Sequence, residues 1–189
     1  MLLTDRIIKT TLLSFIPHSV TANHITTFRF ATIPFILLLL TQGKMLLATI
    51  LFTIAAFSDA VDGALARTRN QETDWGKVFD PLADKILIGS TAVVLIPKLV
   101  NLYLALAIIV VELLISMNAY RKYGNSYKKG NVPQADSIGK GKMVLQSMGL
   151  GLLLISSVFG IQFFLTAGTI FLSISLVFAF ASLIKYNSV

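Results

Sequence analysis

Ile25-Thr-Thr-Phe-Arg29-Phe-Ala-Thr-Ile-Pro34-Phe-Ile-Leu-Leu-Leu-Leu40-Thr41 carries one charge and is followed at once by the turn residues Gln42-Gly43-Lys44. A bilayer core about 30 Å thick requires roughly 20 helical residues at about 1.5 Å each. This run, with its polar flanks, meets that length. Five further stretches have the same character: Met45 toward Arg67, Phe79 to Pro97, Leu102 to Tyr120, Met143 to Phe159, and Phe163 to Ile184. Pro97-Lys98 and Gly160-Ile161-Gln162 supply further separators. Strand alternation is absent, which argues against a β-barrel.

The composition of the whole chain agrees. Of its 189 residues, 55% are hydrophobic and 13% charged, none is Cys, and mean hydropathy is +0.78. A soluble domain carries roughly 25% charged residues, so about half of the usual polar surface is missing. The lack of Cys excludes disulfide staples, thiol nucleophiles and zinc–thiolate sites. Disorder and a disulfide-rich secreted fold are excluded as well. The expected fold is all-α, a polytopic membrane protein with six transmembrane helices in one domain spanning residues 1–189.

Fourteen of the sixteen Lys and Arg fall on one side of this arrangement, and only Lys44 and Lys98 on the other. The positive-inside rule then predicts both termini in the cytoplasm. It also accounts for the net charge of +7 through anionic lipid headgroups, without nucleic acid. Residues 1–22 read as a juxtamembrane amphipathic helix lying along the interface, on a stripe of Ile8, Leu12, Phe15 and Ile16. The six-helix bundle then occupies residues 23–189.

Four Asp stand where a passive membrane protein would not place them. Asp59 and Asp62 are three apart and share a face of the second helix; Asp80 and Asp84 are four apart near the start of the third. The second helix runs inward and the third outward, so their cytoplasmic ends are expected to be neighbours. Unpaired charge at membrane depth costs several kcal/mol per group by insertion scales, so something must neutralise the cluster. Arg67 and Lys85 can compensate part of it. Oxygen-only donors with no His or Cys nearby favour a hard cation for the rest: Mg²⁺, with Mn²⁺ or Ca²⁺ as alternatives. Two such ions would balance four carboxylates and leave positions open for phosphate oxygens, as metal-assisted phosphoryl transfer requires. The bland alternative is that these Asp cap helices and pair with Arg67, Arg69, Lys77 and Lys85. Gly63 and Ala66, on the same helix side, would admit a flat ligand or simply a neighbouring helix.

Asp59-Ala-Val-Asp62-Gly63-Ala-Leu-Ala66-Arg67, followed by Gly76, Asp80 and Asp84, reproduces the signature D-x2-D-G-x2-A-R-x8-G-x3-D-x3-D. By it the chain resembles the CDP-alcohol phosphotransferases. The resemblance implies an enzyme that transfers a phosphatidyl group from CDP-diacylglycerol to an acceptor hydroxyl and releases CMP. It implies that Asp59, Asp62, Asp80 and Asp84 hold two Mg²⁺ ions, that Asp84 is the general base, and that Asn23, Gly63, Ala66, Arg67 and Gly76 border the CDP-lipid donor. Relatives also imply a homodimer.

The run Gly76-Lys-Val-Phe-Asp80-Pro-Leu-Ala-Asp84-Lys85 and the segment Ser137-Ile-Gly-Lys140-Gly-Lys142 look most like phosphatidylglycerophosphate synthases. The acceptor would then be glycerol 3-phosphate, with Lys140, Lys142 and Arg121 at its phosphate. Other acceptors within the family stay open: phosphatidylglycerol (as in cardiolipin synthases), inositol phosphate or serine. Val111 precedes Glu112 where those synthases usually carry Arg. A cation carrier is the alternative of a different class, but carriers spread acids along the span or use broken helices.

Glu112 lies mid-span in the fourth helix, where a carboxylate is expensive; it is expected to face the cavity and hold a basic partner such as Arg121. Arg29 is expected to snorkel, and His18 and His24 to lie at the interface. Trp75 is expected to anchor at headgroup level.

Overall fold

The computed structural model describes residues 21–69, 73–128 and 137–187. Six α-helices and no strand occur among them: α1 Ala22–Thr41, α2 Met45–Arg69, α3 Asp74–Leu99, α4 Leu102–Lys128, α5 Ser137–Phe159 and α6 Gln162–Asn187. The expected N-terminal interfacial helix, with His18, falls outside the described residues.

Each apolar stretch forms a helix, and each helix outruns it. α4 continues eight residues past Tyr120, and α5 starts six residues before Met143. A helix satisfies its own backbone hydrogen bonds, so polar flanks extend it where the apolar run stops. Four helices contain a segment long and apolar enough to cross a membrane: Ala22–Thr41, Met45–Gly63, Ile138–Phe159 and Gln162–Ile184. Asp80, Asp84, Lys85 and Lys98 keep α3 below that mark, and the apolar part of α4, Leu102–Asn118, is shorter.

Two turns are sharp because glycine permits it. Gly43 (φ 74°) and Gly160 (φ 68°) adopt left-handed backbone after α1 and α5. The Lys44 N–H returns to the Leu39 carbonyl at 2.9 Å, and the Gly160 N–H to the Ser156 carbonyl at 2.8 Å. At the same end of the bundle as the first turn, Lys98 donates to the terminal α1 carbonyl of Leu40.

One core draws on all six helices, through Ile36, Phe52, Leu95, Ile108, Leu153 and Leu172 among others. The most extensive pair is α5–α6. There a Cβ on Gly168 would stand 2.9 Å from the Gly149 carbonyl, and one on Gly149 would stand 2.8 Å from Leu172 Cγ. Small residues let helix backbones approach where no water drives them together. Gly168→Ala is therefore expected to force α5 and α6 apart and lower the thermal midpoint in detergent, whereas Gly151→Ala, which meets open space, is expected to leave it unchanged.

α1 packs against both α2 and α3, whereas α2 and α3 barely touch each other. The ends of the second and third helices are neighbours, as expected, with α1 bridging them: Asp62 of α2 and Asp84 of α3 both bond Arg29. The buried stripe of α1, Ala22, Thr26, Arg29, Ile33, Ile36 and Leu40, follows helical spacing and places two polar side chains at the meeting point.

Candidate active site

The polar centre is assembled from three helices at one end of the bundle. α1 brings Thr26 and Arg29, the last turns of α2 bring Ser58, Asp59 and Asp62, and the first turns of α3 bring Asp80 and Asp84.

Arg29 is the hub. Its side chain is 0% exposed, and it donates from Nη2 to Asp62 Oδ2 at 2.6 Å and from Nη1 to Asp84 Oδ1 at 2.5 Å. Nη1 also reaches Asp59 Oδ1 at 3.4 Å, and Nε donates to Ser58 Oγ at 3.3 Å. This overturns the snorkelling expectation: α1 is enclosed by two acidic helices, so the guanidinium finds its counter-charges inside the protein. A planar fork with five donors suits such a role, because it can bridge several carboxylates at once. Thr26, also fully buried, donates to Asp80 Oδ1 at 2.5 Å and lies 3.5 Å from Asp62 Oδ2. Both side chains were legible in principle, since Thr26 and Arg29 are three apart on one face and a charge within a span invites a partner.

The four Asp converge, with unequal access. Asp62 is buried, Asp84 mostly so, and the Asp59 side chain is 50% exposed, which leaves the cluster open to water on that side. Four carboxylates against one guanidinium leave three formal negative charges, and the donors are all oxygen. In charge and donor chemistry that fits a hard divalent cation. Among the described residues no three His, Cys, Asp or Glu side chains gather on a single point; the carboxylates are spread around Arg29.

At the rim, Thr73 caps α3. Its hydroxyl accepts from the Gly76 N–H at 3.0 Å and donates to Asn23 Oδ1 at 3.0 Å. A Cβ on Gly76 would sit 3.2 Å from Thr73 Oγ1, 3.3 Å from Asp80 Oδ2 and 3.4 Å from Asn23 Oδ1. A side chain at this position would therefore crowd the Thr73 cap and Asp80, with Asn23 of α1 just beyond. His24 accepts from the Thr21 N–H at the start of α1, a capping role. Gly63 lies one residue past Asp62, partly buried. The side chains of Ala66, Arg67, Trp75 and Lys77 lie outside the described residues.

A second polar group sits across α3. Glu112 of α4 accepts from Lys142 Nζ at 2.5 Å and from Gln146 Nε2 at 2.9 Å, both on α5. Its basic partner is therefore Lys142 and not Arg121, which stays exposed. α3 and α6 each pack against both α4 and α5, which brings Lys142 within reach of Glu112, while Arg121 lies more than two turns along α4 from it. Lys142 is accordingly buried in an ion pair, whereas Lys140 is exposed. Lys85 donates to Ser116 Oγ at 3.3 Å and not to the Asp cluster, so the cluster's described compensation comes from Arg29.

A sequence model of the CDP-alcohol phosphatidyltransferase family matches residues 19–181. A CDP-diacylglycerol–glycerol-3-phosphate 3-phosphatidyltransferase of Rickettsia typhi is 35% identical over 139 residues, covering 71% of this chain and 76% of the relative. A protein of the same description from Wigglesworthia glossinidia brevipalpis is 29% identical over 168 residues, covering 86% of this chain and 90% of the relative. Another from Haemophilus influenzae is 30% identical over 134 residues, covering 69% and 72%.

Proposed function

The chain belongs to the CDP-alcohol phosphatidyltransferase family, and from that premise we propose that it transfers the phosphatidyl group of CDP-diacylglycerol to glycerol 3-phosphate. The structural observation that carries the reaction is the convergence of Asp59, Asp62, Asp80 and Asp84 around Arg29 and Thr26. The acceptor rests on the relatives, which are named for glycerol 3-phosphate.

An acceptor hydroxyl oxygen attacks the phosphorus that bears the diacylglycerol. The bond from that phosphorus to the bridging oxygen breaks, and CMP leaves with the oxygen. Asp84, the mostly buried carboxylate held by Arg29, takes the hydroxyl proton. Asp59, Asp62, Asp80 and Asp84 would hold Mg²⁺, which when bound supplies positive charge against the donor diphosphate. Arg29 and Thr26 fix the four carboxylates relative to one another, and phosphoryl transfer depends chiefly on such positioning. Asn23, Gly63 and Gly76 border the donor, with Ala66 and Arg67 carried over by the motif. Lys140 and Arg121, both exposed, take the acceptor phosphate, while the Lys142–Glu112 pair orders the wall behind them.

All six helices span the bilayer in this reading, with residues 1–22 along the interface and the Asp cluster facing the cytoplasm. The skew of Lys and Arg toward that side supports it. Two protomers form a homodimer, which the resemblance supports.

Purified protein in detergent is offered radiolabelled CDP-diacylglycerol with glycerol 3-phosphate, phosphatidylglycerol, inositol phosphate or serine in turn. Phosphatidylglycerophosphate and CMP are expected with the first acceptor alone, and lost on chelation and restored by Mg²⁺. Product from another acceptor overturns the acceptor; turnover indifferent to chelator overturns the metal.

A further inference from the structure

Between α3, α4 and α5 lies a cavity of about 310 Å³ that the phosphatidyl-transfer chemistry does not use. We propose that it binds one acyl chain of an anionic phospholipid, with the lipid phosphate against Lys85, and that this lipid is distinct from the CDP-linked donor.

Position on α3 separates the two sites. At about 100° per residue, Lys85, Gly89 and Val93 lie roughly 100°, 140° and 180° around the helix from Asp84. Those three line the cavity, whereas Asp84 faces Arg29. Lys85 and Asp84 are nonetheless adjacent in sequence, so the cavity's polar mouth and the Asp cluster share one depth in the bundle. From Lys85 to Val93 the cavity descends eight residues, about 12 Å along the helix, away from the charged end.

Its chemistry is that of an amphiphile site. The wall is mostly apolar, and Leu82, Ile86, Val93 and Leu113 are exposed on the outer surface of the helices, so the cavity opens sideways toward lipid. The polar groups collect at one end, namely Lys85, Glu112, Ser116 and Gln146. Glu112 is satisfied there by Lys142 and Gln146. Lys85 is hydrogen-bonded to a hydroxyl and forms no ion pair among the described residues. Two ammonium groups and one carboxylate leave one formal positive charge at the mouth. An ammonium at the polar end of an apolar slot matches a phosphate that carries a chain, and a headgroup without a compensating cation matches it best. A free phosphate would leave the slot itself unfilled. Gly89 supplies the width, because a Cβ added there meets nothing within 4 Å.

That last fact provides the test, which stands whether or not glycerol 3-phosphate is the acceptor. Gly89→Leu places a side chain in the slot with no backbone clash and with better helix propensity. Full-length protein in detergent is titrated with phosphatidylglycerol, with phosphatidylcholine of the same chains, and with glycerol 3-phosphate; thermal midpoint and native mass spectrometry report binding. Wild type is expected to bind phosphatidylglycerol more tightly than phosphatidylcholine. Gly89→Leu is expected to weaken both lipids about tenfold or more, and Lys85→Met to remove the preference between them by about the same factor. Asp84→Asn is expected to leave lipid binding intact, which separates this site from the donor's. The proposal is overturned if Gly89→Leu, shown folded by its helical circular dichroism, binds both lipids as wild type does. It is equally overturned if Asp84→Asn abolishes the binding, or if glycerol 3-phosphate alone competes the lipid off.

Discussion

Arg29→Met is expected to cost about 3–5 kcal/mol of stability, the scale for removing one partner of a buried ion pair, and to abolish turnover with it. The guanidinium is 0% exposed and is shared by Asp62, Asp84 and, more loosely, Asp59. Methionine fills the volume but leaves buried Asp62 without its cation and Ser58 without its donor. The large cost comes from the stranded carboxylate rather than from any net strength of the pair. Arg29→Lys is expected to recover part of the stability and little of the activity. An ammonium restores the charge as a point but cannot place separate donors toward α2 and α3 together. A second consequence concerns divalent cations. With the internal positive charge gone, Mg²⁺ is expected to raise the thermal midpoint of Arg29→Met more than that of wild type. The check is thermal unfolding of the detergent-solubilised protein with chelator and with Mg²⁺. An unchanged midpoint in Arg29→Met would mean that the guanidinium does not hold the cluster.

Asp84→Asn is expected to lower CMP release by about 10²–10⁴-fold, the range for losing a positioned general base, while the protein stays folded. The amide keeps the shape and can still meet Arg29 through its carbonyl oxygen, so the α1–α3 contact survives in weakened form. It cannot accept the hydroxyl proton. The readout pairs labelled CMP release with circular dichroism and the thermal midpoint. Turnover within a few fold of wild type would remove Asp84 from the base role; loss of the folded state would show that it serves structure instead.

The site was legible in the sequence to the extent that its parts lie within single helices. Asp59 with Asp62, and Asp80 with Asp84, are each set on one face by helical spacing, and the structure gathers all four around Arg29 and Thr26. The spacing of Gly76 before Asp80 was visible, but not the reason for it: a Cβ there would press on Thr73, Asp80 and Asn23. Sequence alone points Arg29 toward water, because a basic residue near a helix entrance ordinarily reaches back to it. Nothing within α1 alone tells a snorkelling Arg from an enclosed one. The cost of Glu112 is visible in the sequence, yet its partner lies thirty residues on, at Lys142, and not at the Arg121 of its own helix.

Hydropathy and charge order are properties of the linear chain, so the chain alone determined the six helices among the described residues and the helix ends at which the carboxylates stand. Which helix fills the space between two others is decided by side-chain fit among distant segments. That choice set α1 against both α2 and α3, turned Arg29 and Thr26 inward as the hub of the four Asp, and left Lys85 turned about 100° from Asp84, over an apolar slot.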